Sequence, residues 1–179
     1  AMGAPGGRQK VPGLFNAWIT LDPSNPRIYA RHAEWLADPD NASQRTLLSL
    51  ADEALARTEE TLGFGGYALF FQPLLSLSED ARGLYDPDLF ATAMHDLATL
   101  SATQADVNRA ADALAGEIDV YGPDAPVALK DTLLMLVRNE IKVCYPRLWT
   151  RPETAIRSLI DEAANTIPEI SFDDMSKAA

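Results

Sequence analysis

The chain has 179 residues, a formal net charge of -11 and one cysteine, Cys144. A domain of this size hides roughly 70% of its unfolded surface, so it needs neither a metal nor a disulfide to hold it together. The negative charge argues against nonspecific binding to nucleic acid or anionic membrane, and no apolar run approaches the roughly 20 residues of a membrane span.

Residues 1–11 are glycine-rich, with Ala1-Met2-Gly3 resembling a cloning remnant, and are expected to be disordered. They lack the apolar block of a signal peptide, so a cytoplasmic location is expected. An all-α domain is expected over 12–168. Its first helix opens at Pro12 and Gly13 and carries Leu14, Phe15, Trp18 and Ile19. Asp22-Pro23 ends it, because the residue before proline avoids helix. Asn25 and Pro26 then supply an N-cap and a first-turn proline for a helix with Tyr29, Ala33 and Leu36 on one line. Asn41 and Gln44 suggest a capping box for the next helix, which Gly63 stops. Tyr67 to Leu77 is apolar nearly all round and belongs in the interior, with Pro73 kinking or ending it. Asp86-Pro87 starts another helix. Ser101 and Gln104 suggest a capping box for one more, leading into Val107, Ala110, Ala111, Leu114 and Ile118.

A turn-rich connector at 119–126 is the candidate subdomain boundary. Beyond it, Leu129, Leu133, Leu136, Val137, Ile141 and Cys144 recur at spacings of three and four. That periodicity predicts one long helix from Pro126 to Pro146 with a broad buried face, the organising rod of the domain. It would make Cys144 a buried structural thiol. A last amphipathic helix is predicted from Thr150 through Ile156, Leu159, Ile160, Ala163 and Ile167, followed by an acidic tail over 169–179. No useful alternation of apolar and polar residues appears, so the expected fold is all-α with seven or eight helices.

Phe15-x-Ala17-Trp18-x-x-Leu21-Asp22-Pro23-x-Asn25-Pro26, with Tyr29, Ala33 and Leu36, resembles the junction of two tetratricopeptide-type (TPR) helical repeats. His32 stands where that family places leucine, and no second copy follows at a fixed period. The resemblance implies stacked antiparallel helix pairs and a role in binding other proteins; a plain helical bundle is the alternative architecture.

Three patterns suggest chemistry. His95-Asp96 is the dipeptide of HD-type metal phosphohydrolases, for which His32 and Asp131 would be further ligands. Arg27 and His32 resemble the Arg-x4-His pair of HEPN ribonucleases, although Ile28 replaces the polar residue after the arginine. Gly63-x-Gly65-x-x-Ala68 mimics a dinucleotide fingerprint but follows a helix, which makes it a turn between helices. None names a reaction, and no cofactor motif is found.

Between Lys130 and Arg157, six basic residues face three acidic ones, a local charge of +3 that leaves -14 for the remainder. The sequence therefore favours a non-enzymatic protein-interaction module of adaptor, chaperone-like or acidic-inhibitor type. Its candidate surfaces are a basic strip (Arg138, Lys142, Arg147, Arg151) and an aromatic groove near Tyr29 and Trp35. The partner would be another protein or a second copy of the chain.

Overall fold

The computed structural model describes residues 7–100 and 103–150. Every regular element among them is helical: α1 (Gly7–Leu21), α2 (Pro26–Leu36), α3 (Gln44–Leu62), α4 (Gly65–Leu75), α5 (Glu79–Arg82), α6 (Pro87–Leu100), α7 (Gln104–Tyr121) and α8 (Val127–Met135). Short 3-10 turns occupy Gly122–Asp124 and Pro146–Leu148, and a π-helical turn occupies Leu136–Glu140.

The hub is α4 rather than the helix after Pro126. α4 packs against α2, α3 and α6, and nine of its eleven residues are buried. An apolar surface on all sides can be satisfied only by neighbours on all sides. Two glycines let those neighbours approach. A Cβ on Gly66 would lie 2.1 Å from the Thr58 hydroxyl and 2.3 Å from the Ala54 carbonyl on α3, and one on Gly65 would meet Leu62 at 3.1 Å. The letters that mimic a dinucleotide fingerprint are thus a helix-to-helix turn with close backbone packing. Pro73 neither breaks nor ends α4, which continues to Leu75, but it withholds the N–H that would bond the Leu69 carbonyl.

Several local expectations are met. Asn25 caps α2 by accepting from the Arg27 N–H at 3.1 Å, and Pro26 fills the first turn. Gly63 ends α3 with φ +53, and Asp86 accepts from the Asp88 and Leu89 N–H groups at the start of α6. Others are corrected. α1 begins at Gly7, inside the stretch expected to be disordered, and carries Pro12 within it. The cap of α3 is Ser43, which accepts from Thr46 N–H, while Asn41 donates to the Trp35 carbonyl. The cap of α7 is Thr103, accepting from Asp106 N–H, which frees Gln104 for another task.

The long helix expected from Pro126 to Pro146 is half as long. Leu129, Leu133 and Leu136 do form its buried face against α6 and α7. Past Met135 the backbone widens into the π-turn, closed by Ile141 N–H to the Leu136 carbonyl at 2.9 Å, and then becomes extended. Cys144 is exposed, not buried. Of the connector at 119–126, the part up to Tyr121 continues α7 and Gly122–Asp124 form a 3-10 turn, after which α8 packs back on α6 and α7. The expected last helix, its Arg151 and the tail lie outside the described residues.

Candidate functional site

The feature that most needs explaining is the non-helical stretch from Ile141 to Thr150. Apart from the 3-10 turn at Pro146–Leu148, the main chain there is extended or bent, and its polar groups must find hydrogen-bond partners elsewhere. They find them on α7, where Gln104, Asn108 and Asp112 recur every four residues and so project from one face. Gln104 Oε1 accepts from the Lys142 and Val143 N–H groups at 2.7 and 2.9 Å, and its Nε2 donates to the Glu140 carbonyl at 2.9 Å. Asn108 is fully buried. Its Oδ1 accepts from Tyr145 N–H at 2.9 Å and from the Trp149 indole at 2.8 Å. Its Nδ2 donates to the carbonyls of Val143 and Gln104. Asp112 receives the Thr150 N–H at 2.7 Å and the Thr150 hydroxyl at 2.9 Å.

Because the ladder grips main chain, the side chains point away from it. Lys142, Val143, Cys144, Tyr145 and Arg147 are all exposed, with Val143 at 48% and Tyr145 at 42% of full accessibility. Half-buried Leu148 and the Thr150 hydroxyl turn inward, and so does Trp149. It is buried as the strap's apolar anchor, the role a large amphipathic ring with one donor fills well. The outcome is a strap of fixed backbone presenting two cations, an aliphatic residue and a phenol to solvent.

Of the basic strip, Arg138 and Lys142 and Arg147 are exposed, and Lys142 Nζ donates to the Asn139 carbonyl. The aromatic groove is not there. Tyr29 is buried with its hydroxyl donating to the Pro23 carbonyl at 2.8 Å, and burial pushes that phenol far above its ordinary titration range. Trp35 is half-buried and stacked on His32. Of the remaining aromatics, Tyr67, Phe70 and Phe71 join the core, while Trp18 stays 46% exposed.

The chemical candidates are dispersed. His32 lies stacked between Phe15, at a ring distance of 3.8 Å, and Trp35, at 5.7 Å. Neither of its ring nitrogens has a partner, and desolvation lowers its pKa to about 4, so the ring is neutral. Arg27 is exposed, about 140° away round the same helix, so the two do not face a common phosphate. His95 touches Asp96 at 3.4 Å, but the other Asp96 oxygen accepts the Phe64 N–H at 2.9 Å, at the start of α4. A carboxylate there stabilises the positive end of the hub helix. Among the described residues, no three His, Cys, Asp or Glu side chains gather closely enough to hold a metal ion.

A second concave feature is an open cleft of about 1020 Å³ between α2, α4 and α7. Leu69, Pro73, Leu75 and Phe90 contribute to its apolar floor; Arg27 marks one rim and Arg109 and Asp112 the other. At one end Arg82 pairs with buried Glu117 and donates to the Leu75 carbonyl at 3.0 Å, which ties α4 to α7. Tyr85 donates to the same Glu117 carboxylate at 3.0 Å.

Comparison with known protein families, curated proteins and solved structures finds no match to this chain. No described helix is long and apolar enough to cross a membrane.

Proposed function

We propose that the protein is a non-enzymatic binding module whose working surface is the strap from Lys142 to Arg147. The observation that carries this reading is the fixed backbone under an exposed row of side chains. Three polar residues of α7 immobilise the main chain before any partner arrives, so binding would order few new torsions. Tyr145 and Val143 supply the apolar contact, and Lys142 and Arg147 select for negative charge. The partner of matching chemistry is an acidic protein segment with an apolar anchor.

The exposed Cys144 gives a labelling position within the strap. Chain labelled there with a small fluorophore is titrated with acidic peptides carrying a single leucine or phenylalanine. Saturable binding that weakens as salt rises, and that is lost in Lys142→Glu/Arg147→Glu and in Tyr145→Ala, supports the reading. Equal binding by wild type and variants removes it. The -14 charge outside the basic segment also makes a second copy a chemically suitable partner, which sedimentation at two concentrations detects.

A further inference from the structure

A different part of the molecule carries an inference of its own, independent of the strap. We propose that the Phe15–His32–Trp35 stack is an acid-released latch: when His32 takes up a proton, α1 swings off α2 about the connector 22–25 and uncovers an apolar face of the domain.

The joint between the two helices is apolar apart from two rings. On α1, Val11, Phe15 and Ile19 recur every four residues and are buried. On α2, Tyr29, His32, Ala33 and Leu36 are buried, and α2 packs in turn on the hub α4. Of these seven side chains only His32 can gain a charge as pH falls. It is held face to face between Phe15 and Trp35, and neither Nδ1 nor Nε2 is bonded. The buried Trp35 Nε1 is unbonded as well, but it is a donor and cannot accept from the imidazole.

A proton added to this ring makes two charged N–H donors where no acceptor stands. The faces of Phe15 and Trp35 attract a cation, yet a buried charged donor left without an acceptor loses more than a ring face returns. No counter-charge offsets that loss. Residues 11–21 of α1 include no ionisable group, and Arg8 and Lys10 earlier on that helix are themselves cations. α4 has only Tyr67, whose hydroxyl accepts from the Asp86 N–H. On α2, Arg27 is exposed and Arg31 pairs with Glu34 at the surface. On α3, Arg57 and Glu53 are paired with each other. Burial, and none of these groups, is what lowers the proton affinity of the ring.

The surroundings let α1 leave without the rest. It ends at Leu21, and residues 22–25 form a turn closed by Asn25 N–H to the Asp22 carbonyl at 3.3 Å. Tyr29 holds the Pro23 carbonyl, so the connector stays on α2 while α1 moves. The Arg57 contact with the Thr20 hydroxyl, at 3.5 Å and exposed, is a weak restraint. Once undocked, a 15-residue helix containing Pro12 and Gly13 is too short to persist alone.

Hydrogen exchange on the full chain, corrected for the intrinsic pH dependence of exchange, tests this. The open form binds the proton at the ordinary 6.5 and the closed form at about 4. Protection of amides 14–21 should therefore fall about 50-fold between pH 7 and pH 4.5, while amides of α4 and α6 keep theirs. In His32→Phe, which keeps a stacked ring without a proton site, the fall should shrink to less than about twofold. His32→Leu decides if phenylalanine does not fit, and His95→Gln should respond as wild type does. Protection of 14–21 that is unchanged with pH in the wild-type chain overturns the proposal. So does a fall that persists in the His32 variants, or one shared equally by α4 and α6, which is general acid unfolding.

Discussion

Asn108 shows how much one side chain can decide. Its amide uses donor and acceptor on four partners, three of them in the strap, in a site closed to water. Asn108→Ala should cost about 3 kcal/mol, since removal leaves the Tyr145 N–H, the Trp149 indole and a buried carbonyl without partners. Urea unfolding measures the loss, and a red shift of tryptophan emission reports release of Trp149. Asn108→Asp keeps the acceptor but turns an oxygen toward two carbonyls, so it should rescue little.

His32 is the opposite case, a polar ring with no partner. The native state refuses a proton that the unfolded chain accepts near the ordinary value of 6.5, because the ring's pKa in the fold is about 4. The folded pKa is depressed and the group is a base, so this site's contribution is intact above about 6.5. It falls as pH drops toward 4 and is flat below. The gap corresponds to at most about 3 kcal/mol. His32→Phe should be as stable as wild type or about 1 kcal/mol better at pH 7, and should flatten the pH 4–6.5 slope of the unfolding midpoint. An unchanged slope would mean that the ring does not titrate as its burial demands.

At the level of elements, the hub helix depends on glycine on one face and on a borrowed carboxylate at its start. Gly66→Ala should destabilise by about 3 kcal/mol or more, because the new methyl meets the Ala54 carbonyl of α3 as well as a movable hydroxyl. Gly13→Ala, with nothing within 4 Å, should stabilise by about 0.5–1 kcal/mol through helix propensity alone. Thermal unfolding of the two variants separates contact from propensity. Asp96→Ala should cost about 1 kcal/mol by exposing the Phe64 N–H, and Asp96→Asn less, since an amide oxygen can still accept. Were Asp96 a metal ligand instead, the asparagine variant would be the damaging one for metal content, which elemental analysis reads directly.

For the whole molecule, charge and shape divide the surface. The strap carries cations on a protein of net charge -11, and the cleft borders the same α7 ladder, sharing Asp112 and Thr150 with it. Arg82 and Glu117 close one end of that cleft with a largely buried pair. Arg82→Met should cost about 2–3 kcal/mol, because it leaves the Glu117 carboxylate without its cation, held by the Tyr85 hydroxyl, and frees the Leu75 carbonyl. Chemical denaturation gives the value, and Arg82→Met/Glu117→Leu should recover part of it, as replacing a buried pair is milder than breaking one.

Helical spacing, prolines and glycines were enough to read the all-α class, the interior position of Tyr67 to Leu77, the caps at Asn25 and Asp86 and the stop at Gly63. These are local properties: capping and periodicity act within one or two turns, so the residues that cause them are neighbours in sequence. The run of charges was legible too, and of it Arg138, Lys142 and Arg147 are exposed. The fate of Ile141 to Thr150 was not. Its apolar spacing continued that of Leu129 to Leu136, and nothing nearby cancels a helix there before Pro146. What overrules the pattern is Gln104, Asn108 and Asp112, more than thirty residues earlier, whose amides and carboxylate bond the main chain at Glu140, Lys142, Val143, Tyr145 and Thr150 in place of helical bonds. A polar Asn108 beside Val107 and Ala111 on an otherwise apolar face was the one trace of this in the sequence. Periodicity by itself therefore determined that the described segments up to Met135 coil; contacts between distant segments decided which of them is central, where α8 stops and which side chains face water. Hydrogen-bond competition between remote groups has no signature in local spacing.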